Sequence, residues 1–214
     1  MIKKKAILFD LDGTLVNSAP TVLEIINLVR SQNNQTKLQL NPSIEEIISL
    51  GGREMIVNLV SKDNIDKNLN TFRELYEDYD LTHERMFDGV NEMLSSLSLQ
   101  YSLAVLTNKP KMLVDKTMNH HQIKSFFDCI VCREDVKKKK PDPEGFNFVL
   151  KTLNLIKNDV IYVGDSLVDL ELAKSTQVEF FLYNRLKINQ LKNNLFYFQE
   201  FDSFEDLTNT LGLR

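Results

Sequence analysis

The sequence predicts an α/β protein: a Rossmann-like, doubly wound parallel sheet carrying an inserted helical domain. Three observations point there. Short apolar runs such as Ala6–Phe9, Ser102–Leu106 and Val160–Val163 alternate with stretches of helical periodicity, the pattern of strands buried on both faces. Polar strings follow those runs at once, where parallel sheets gather their ligands. Between Pro20 and Thr82 no strand pattern occurs, so this span reads as helices inserted after the first strand. The division expected is an α/β core from residues 1–17 and 86–214, with a helical cap from 18–85.

In order, Ala6–Phe9 is a strand. Thr21–Arg30 is an amphipathic helix with Val22, Ile25, Ile26 and Val29 on one stripe, and Pro20 suits its first turn. Ser31–Asn41 is polar and rich in Asn and Gln, a loop or a soft helix end. Pro42 opens the next helix, with Ser43 and Glu46 spaced as a capping box. Gly51-Gly52 breaks the chain, Arg53–Lys62 resumes a helix, and Asn68–Asp80 forms another with Leu69, Phe72, Leu75, Tyr76 and Tyr79 aligned. After Phe87-Asp88-Gly89-Val90 come helix Asn91–Leu99, strand Ser102–Leu106, helix Lys111–His121, strand Cys129–Cys132, a basic loop Lys137–Pro143 and helix Glu144–Leu153. Strand Val160–Val163, helix Leu167–Lys174, strands Glu179–Leu182 and Leu195–Phe198, and helix Glu205–Leu211 complete the chain.

Composition narrows the class. The 214 residues are 43% hydrophobic and 26% charged, with a net charge of -4, values of a soluble globular protein without the basic footprint of nucleic-acid or acidic-membrane binding. No run reaches transmembrane length. The lysines at positions 3–5 precede only four apolar residues before Asp10, too few for a signal core, so the expected location is the cytoplasm. Cys129 and Cys132 lie three apart in an apolar β-branched run; strand geometry sends them to opposite faces, which favours packing over metal or redox work.

The chemistry begins where the first strand stops, at Asp10-Leu11-Asp12-Gly13-Thr14. Asp and Gly are ordinary turn residues. Two carboxylates one residue apart at a buried strand's exit repel each other, however, unless a cation or a shared proton intervenes. The pair therefore asks for a divalent metal, for different roles for the two acids, or for both.

The string Phe9-Asp10-Leu11-Asp12-Gly13-Thr14-Leu15, so near the N-terminus, resembles the first motif of the haloacid dehalogenase-like hydrolases, a phosphotransferase superfamily. Three further strings match that family's order. Thr107-Asn108-Lys109 resembles the second motif, Lys140 before Pro141-Asp142-Pro143 the third, and Gly164-Asp165 with Asp169 the fourth. Phe87-Asp88-Gly89-Val90 resembles the re-entry from the cap. A cap directly after the first motif points to the subfamily of phosphoglycolate phosphatase and β-phosphoglucomutase.

The resemblance implies roles. Asp10 is the nucleophile, forming an aspartyl-phosphate. Asp12 is the general acid and base, and its backbone carbonyl joins Asp10 and Asp165 around Mg2+. Thr107, assisted by Asn108, holds phosphoryl oxygens, although a Thr-Asn pair also serves as a turn or helix cap. Lys140 binds phosphate and offsets the carboxylate charge; Lys137, Lys138 and Lys139 read as a solvated face, and Lys109 stands behind Thr107 and Asn108 as a member of the second string. Asp169 orients water or Lys140, and Asp165 doubles as a helix cap. In the cap, Arg53 after Gly51-Gly52 is the candidate for a second anionic group of the substrate, or else an exposed arginine past a helix end. His83, His120 and His121 read as surface or packing residues. Ser175-Thr176-Gln177 departs from the family's usual Ala-Gly pair, which bears on the local turn alone. Asp12 argues against dehalogenation, since dehalogenases lack it.

The function expected is a Mg2+-dependent phosphatase acting on a small phosphomonoester, a monomer or homodimer without nucleic-acid or membrane partners. A sugar phosphomutase on the same scaffold, and a catalytically silent protein that binds a phosphorylated ligand, are the alternatives.

Overall fold

The structure, a computed structural model, describes residues 4–185 and 198–211. Two compact units divide the chain: Met1–Val16 with Met86–Arg214, and Asn17–Arg85. In order, the elements are β1 (Ala6–Phe9), β2 (Val16–Asn17), α1 (Ala19–Gln32), α2 (Pro42–Leu50), α3 (Gly52–Leu59), α4 (Ile65–Asp78) and β3 (Arg85–Met86). There follow α5 (Val90–Leu97), β4 (Ser102–Leu106), α6 (Lys111–His120), β5 (Cys129–Val131), α7 (Glu144–Thr152) and β6 (Val160–Gly164). The last are α8 (Leu167–Thr176), β7 (Glu179–Tyr183), β8 (Phe198–Phe201) and α9 (Phe204–Thr210).

The first unit is built on a six-stranded parallel sheet ordered β5-β4-β1-β6-β7-β8. The chain runs outward from β1 through β4 and β5, then returns to lay β6, β7 and β8 on the other side. β1 is therefore the switch point of the doubly wound arrangement, and the crevice past its carboxyl end is the natural ligand position. Alternation along the strands makes two cores. Ile7, Phe9, Val105 and Val163 face Met93, Leu97, Val114 and Phe204; Ala6, Leu8, Leu106 and Tyr162 face Phe146, Val149 and Leu170. Cys129 belongs to one core and Cys132 to the other, both as free buried thiols. Burial pushes the Cys132 thiol up to about 12, so it holds its proton and packs as a small apolar group.

The second unit is helical. Met55, Ile56 and Leu59 of α3 and Leu69, Phe72 and Tyr76 of α4 are buried in it, along with the stripe Val22, Ile25, Ile26 and Val29 of α1. The first helix runs longer than its periodic stripe, from Ala19 to Gln32.

Two local expectations are corrected. Asn41, not Ser43, caps α2: its side chain accepts from the Ile44 N–H, and Pro42 stands in the first turn. Proline's fixed φ and missing N–H suit that first helical position, which moves the cap one residue before it. Ser166, not Asp165, caps α8, in a capping box with Asp169. Gln177 closes α8 in the left-handed conformation, φ 55, so the turn survives without the family's glycine. Of the strand expected at Leu195–Phe198, residues 195–197 lie outside the described residues; the observed strand begins at Phe198. Among the described residues no helix is long and apolar enough to cross a membrane.

Candidate active site

Register assembles the site. Phe9 of β1 stands beside Val163 of β6, and the Asp10 N–H donates to the Val163 carbonyl at 2.9 Å. The exits of these two strands thus bring Asp10 to Gly164-Asp165. Asp10, Asp165 and Asp169 converge there, with one carboxylate oxygen of each within 4.8 Å of the others.

Two glycines make the approach possible. A Cβ on Gly13, at φ +87, would sit 2.1 Å from Asp165 Oδ2; one on Gly164 would sit 2.6 Å from the Asp169 Cβ. Either contact is far inside van der Waals distance, so any side chain would push the carboxylates apart.

Lys140 enters from the loop before α7, with its side chain only 4% exposed. Its Nζ donates to Asp10 Oδ1 at 2.8 Å, to Asp169 Oδ1 at 2.7 Å and to the Tyr162 hydroxyl at 3.2 Å. The loop is clamped by Asn108: the Lys140 N–H donates to Asn108 Oδ1 at 2.9 Å, and Asn108 Nδ2 donates to the Lys140 carbonyl at 3.0 Å. The Asn108 carboxamide is thereby engaged in holding Lys140, a use its place in the second string did not announce. Thr107 is 4% exposed. Its Oγ1 accepts from the Lys109 N–H at 3.1 Å, which leaves the hydroxyl proton available to donate.

Sequence reasoning missed the parts played by Thr14, Tyr162 and Ser166 and the partner of Lys109. Thr14 donates to Asp165 Oδ1 at 3.1 Å. The Tyr162 hydroxyl donates to Asp169 Oδ1, and Ser166 Oγ donates to Asp169 Oδ2 at 2.6 Å. Lys109 Nζ, 5% exposed, pairs with Asp12 Oδ1 at 2.9 Å, where the Asp12 side chain is 32% exposed. The tyrosine stood within an apolar run, and nothing local marks a strand tyrosine as polar at its tip. Ser166 and Asp169 carried a readable signal, since Ser-x-x-Asp before an apolar stretch has capping-box spacing.

Charge is unevenly settled. Burial pushes the Asp10 carboxyl up to about 7 although Lys140 pulls it down, with Asp169 and Asp12 adding to the rise. Burial likewise lifts Asp165 well above the carboxylate range, helped by Asp10 and Asp169 and opposed by Thr14 and Arg185. Burial works against ionised Asp169 too, but the Lys140 charge and hydrogen bonds from Lys140, Ser166 and Tyr162 prevail, and its pKa is lowered. Burial also opposes the Lys140 charge; Asp10 and Asp169 outweigh it and hold that pKa above its ordinary value.

The donor set is all hard oxygen, and its negative charge exceeds what Lys140 neutralises. Both properties fit a divalent cation such as magnesium between Asp10 and Asp165. Arg53 lies in the helical unit, exposed and paired with the exposed Asp66 of α4.

Comparison with known proteins agrees with this geometry. The family described as haloacid dehalogenase-like hydrolase matches residues 7–183. An N-acetylmuramic acid 6-phosphate phosphatase of Pseudomonas putida is 31% identical over 178 residues, covering 81% of this chain and 79% of that protein. A phosphoglycolate phosphatase of Colwellia psychrerythraea is 28% identical over 188 residues, covering 83% of each. A HAD hydrolase of Bacillus subtilis, described as bound to magnesium, superposes with TM-score 0.74 at 20% identity, covering 98% of this chain and 99% of the other. With most of its length inside the family's match and its acids and lysine drawn together at the strand exits, the chain belongs to the haloacid dehalogenase-like hydrolases, among their phosphatases.

Proposed function

We propose that this phosphatase hydrolyses a small phosphomonoester in two steps through an aspartyl-phosphate on Asp10. The observation that carries the reading is the convergence of Asp10, Asp165 and Asp169 on one side and Lys140 on the other at the exit of β1.

Asp10 attacks phosphorus while Asp12 gives its proton to the departing alcohol. Asp12 then takes a proton from water, which attacks the aspartyl-phosphate, frees inorganic phosphate and restores Asp10. The Lys140 ammonium and the Thr107 hydroxyl proton meet phosphoryl oxygens. Asp169, fixed by Ser166 and Tyr162, orients Lys140. The Asp10 and Asp165 carboxylates and the Asp12 carbonyl would hold magnesium, which when bound offsets the charge of the incoming phosphate.

The substrate class follows the named relatives: a phosphorylated small molecule such as phosphoglycolate or a sugar phosphate. Arg53 is proposed for a second anionic group on it. The Asp66 pair is exposed on both sides, so exchanging one carboxylate for another there costs little.

The test is phosphate release from a panel containing 2-phosphoglycolate, N-acetylmuramic acid 6-phosphate and glycerol 2-phosphate, with magnesium and with EDTA. Magnesium-dependent release is expected; silence across the panel in magnesium overturns the reading. With 2-phosphoglycolate, Arg53→Ala should raise KM by roughly tenfold, the loss of one charge-assisted pair, while glycerol 2-phosphate is unaffected. Equal effects on both esters remove Arg53 from the proposal.

A further inference from the structure

Lys109 is the unexplained residue of the core unit. Its ammonium is 5% exposed, yet nothing in the reaction above uses it. Burying an ammonium costs several kcal/mol, and a well-packed apolar side chain of that size is usually no less stabilising. Stability alone therefore does not account for a lysine here.

Its surroundings do. The backbone of Lys109 is held on both sides: its N–H donates to Thr107 Oγ1 at 3.1 Å, and its carbonyl accepts from the Arg133 N–H at 3.2 Å. The side chain runs inward to Thr117 of α6, a fully buried residue, where Nζ donates to Oγ1 at 2.9 Å. The same Nζ donates to Asp12 Oδ1 at 2.9 Å. One end of this bridge is anchored in a helix; the other grips a carboxylate that is 32% exposed. With Oδ1 held, Oδ2 is the oxygen left to face a leaving alcohol or a water.

We infer that Lys109 is a positioning residue for proton transfer, fixing the Asp12 carboxylate in one orientation through an ion pair braced by Thr117. This rests on the acid–base reading of Asp12. The bond-making chemistry stays with Asp10; Lys109 touches no reacting atom and confers the geometry that proton transfer to an alcohol demands.

Leaving groups separate this role from a structural one. An alkoxide leaves from glycerol 2-phosphate only with a proton, whereas the nitrophenolate of p-nitrophenyl phosphate departs without one. Removing Lys109 as Lys109→Met should lower kcat/KM for the alkyl ester by roughly tenfold or more, within the range of general acid catalysis, and for the aryl ester by less than about threefold. Thr117→Val, which keeps the shape and removes the brace, should shift the same ratio in the same direction by about threefold, and Thr117→Ser should recover most of it. In an Asp12→Asn background, Lys109→Met should change the alkyl ester by less than about twofold, because the group it positions is gone.

Equal losses on both esters, or a Lys109→Met effect of the same size with and without Asp12, overturn the proposal. If Lys109→Met does not fold, the Thr117→Val ratio decides alone: an unchanged alkyl-to-aryl ratio overturns it. Asp12→Asn with full alkyl-ester activity would instead overturn the acid–base reading beneath it, a result distinguishable from failure of the positioning role.

Discussion

Asp10 and Asp12 stand two positions apart in one strand exit, and each takes an ammonium from a distant part of the chain, but the two pairs are unlike. Asp10 shares Lys140 with Asp169 and faces Asp165. Carboxylates outnumber the cation around a site whose lysine is 4% exposed. Asp12 has Lys109 in a pair whose carboxylate is 32% exposed. The first arrangement is electrostatically incomplete and calls for a further cation; the second is an orienting pair at a wet edge. The roles proposed for them, a nucleophile that carries a phosphoryl group and an acid–base that trades protons with solvent, call for those opposite surroundings.

The largest effect follows from replacing the two acids separately. Asp10→Asn should lower kcat for every ester by on the order of 10⁴-fold or more, because in the proposed reaction Asp10 takes the phosphoryl group from each of them. Asp12→Asn should lower kcat/KM, which reports phosphoryl transfer to Asp10 and not the later hydrolysis common to both esters, by about 10²- to 10⁴-fold for the alkyl ester and far less for the aryl ester. Steady-state phosphate release on both esters measures it. If Asp10→Asn spares the aryl ester as Asp12→Asn does, the two acids are not divided as their surroundings imply.

Next is the glycine that follows Asp12. In Gly13→Ala the new methyl would meet Asp165 at 2.1 Å, at a φ of +87. Asp165 must move, and the magnesium concentration for half-maximal activity should rise roughly 10- to 100-fold, the usual consequence of disturbing a ligand's support. The alkyl-to-aryl ratio, which reports Asp12, should stay constant. A magnesium titration showing wild-type affinity would mean that Asp165 is not a ligand.

The incomplete charge also predicts a pH dependence. The Asp10 carboxyl is pushed from 3.8 up to about 7 in the fold, and Asp165 moves the same way. Between those values the folded protein holds protons that the unfolded chain releases, so the stabilising contribution is full below about pH 4 and lost as pH rises through about 7. The slope is at most about 1.4 kcal/mol per pH unit for each proton. Asp169, lowered instead, gives its contribution above its ordinary carboxylate value and loses it only on acidification below that, outside this window. Magnesium needs the ionised acids, so its stabilisation grows over the same pH range. Melting temperature with EDTA should fall from pH 5 to pH 8 relative to Asp10→Asn, and the increment from magnesium should widen. An increment equal at pH 5 and pH 8 would contradict the charge deficit.

These two neighbourhoods were not equally legible in the sequence. Asp10, Asp165 and Lys140 announced themselves because a parallel sheet must deliver strand exits to one edge, so the strings carrying them had to meet there. The Asp12–Lys109 pair spans 97 positions of sequence, and the direction in which Lys109 turns is set by where α6 puts Thr117, not by any local pattern. Tyr162 was hidden for a related reason: its ring belongs to the apolar core while its hydroxyl reaches Asp169 and Lys140. Ser43 has capping-box spacing yet lies inside the helix that Pro42 opens, so the spacing alone does not locate the cap.

The smallest effect belongs to a control on the Asp10 side. Four consecutive lysines occupy 137–140, yet only the last is buried. Lys138 is 73% exposed, with a loose contact of 3.5 Å to Asp142, whereas Lys140 is sealed among Asp10, Asp169 and Tyr162. An exposed pair of this kind contributes about 0–1 kcal/mol and is screened by salt. Lys138→Met should therefore shift stability by less than about 0.5 kcal/mol. Its kcat/KM should stay within roughly twofold in 0.15 M salt, where charges outside the pocket are largely screened. Lys140→Met, one step along the same run, strands Asp10 and Asp169 without their ammonium and should cost about 3–5 kcal/mol by denaturant titration in EDTA. Similar losses for the two variants would mean that the run acts through its summed field. A loss confined to Lys140 ties the effect to burial, the property that sets Asp10 apart from Asp12.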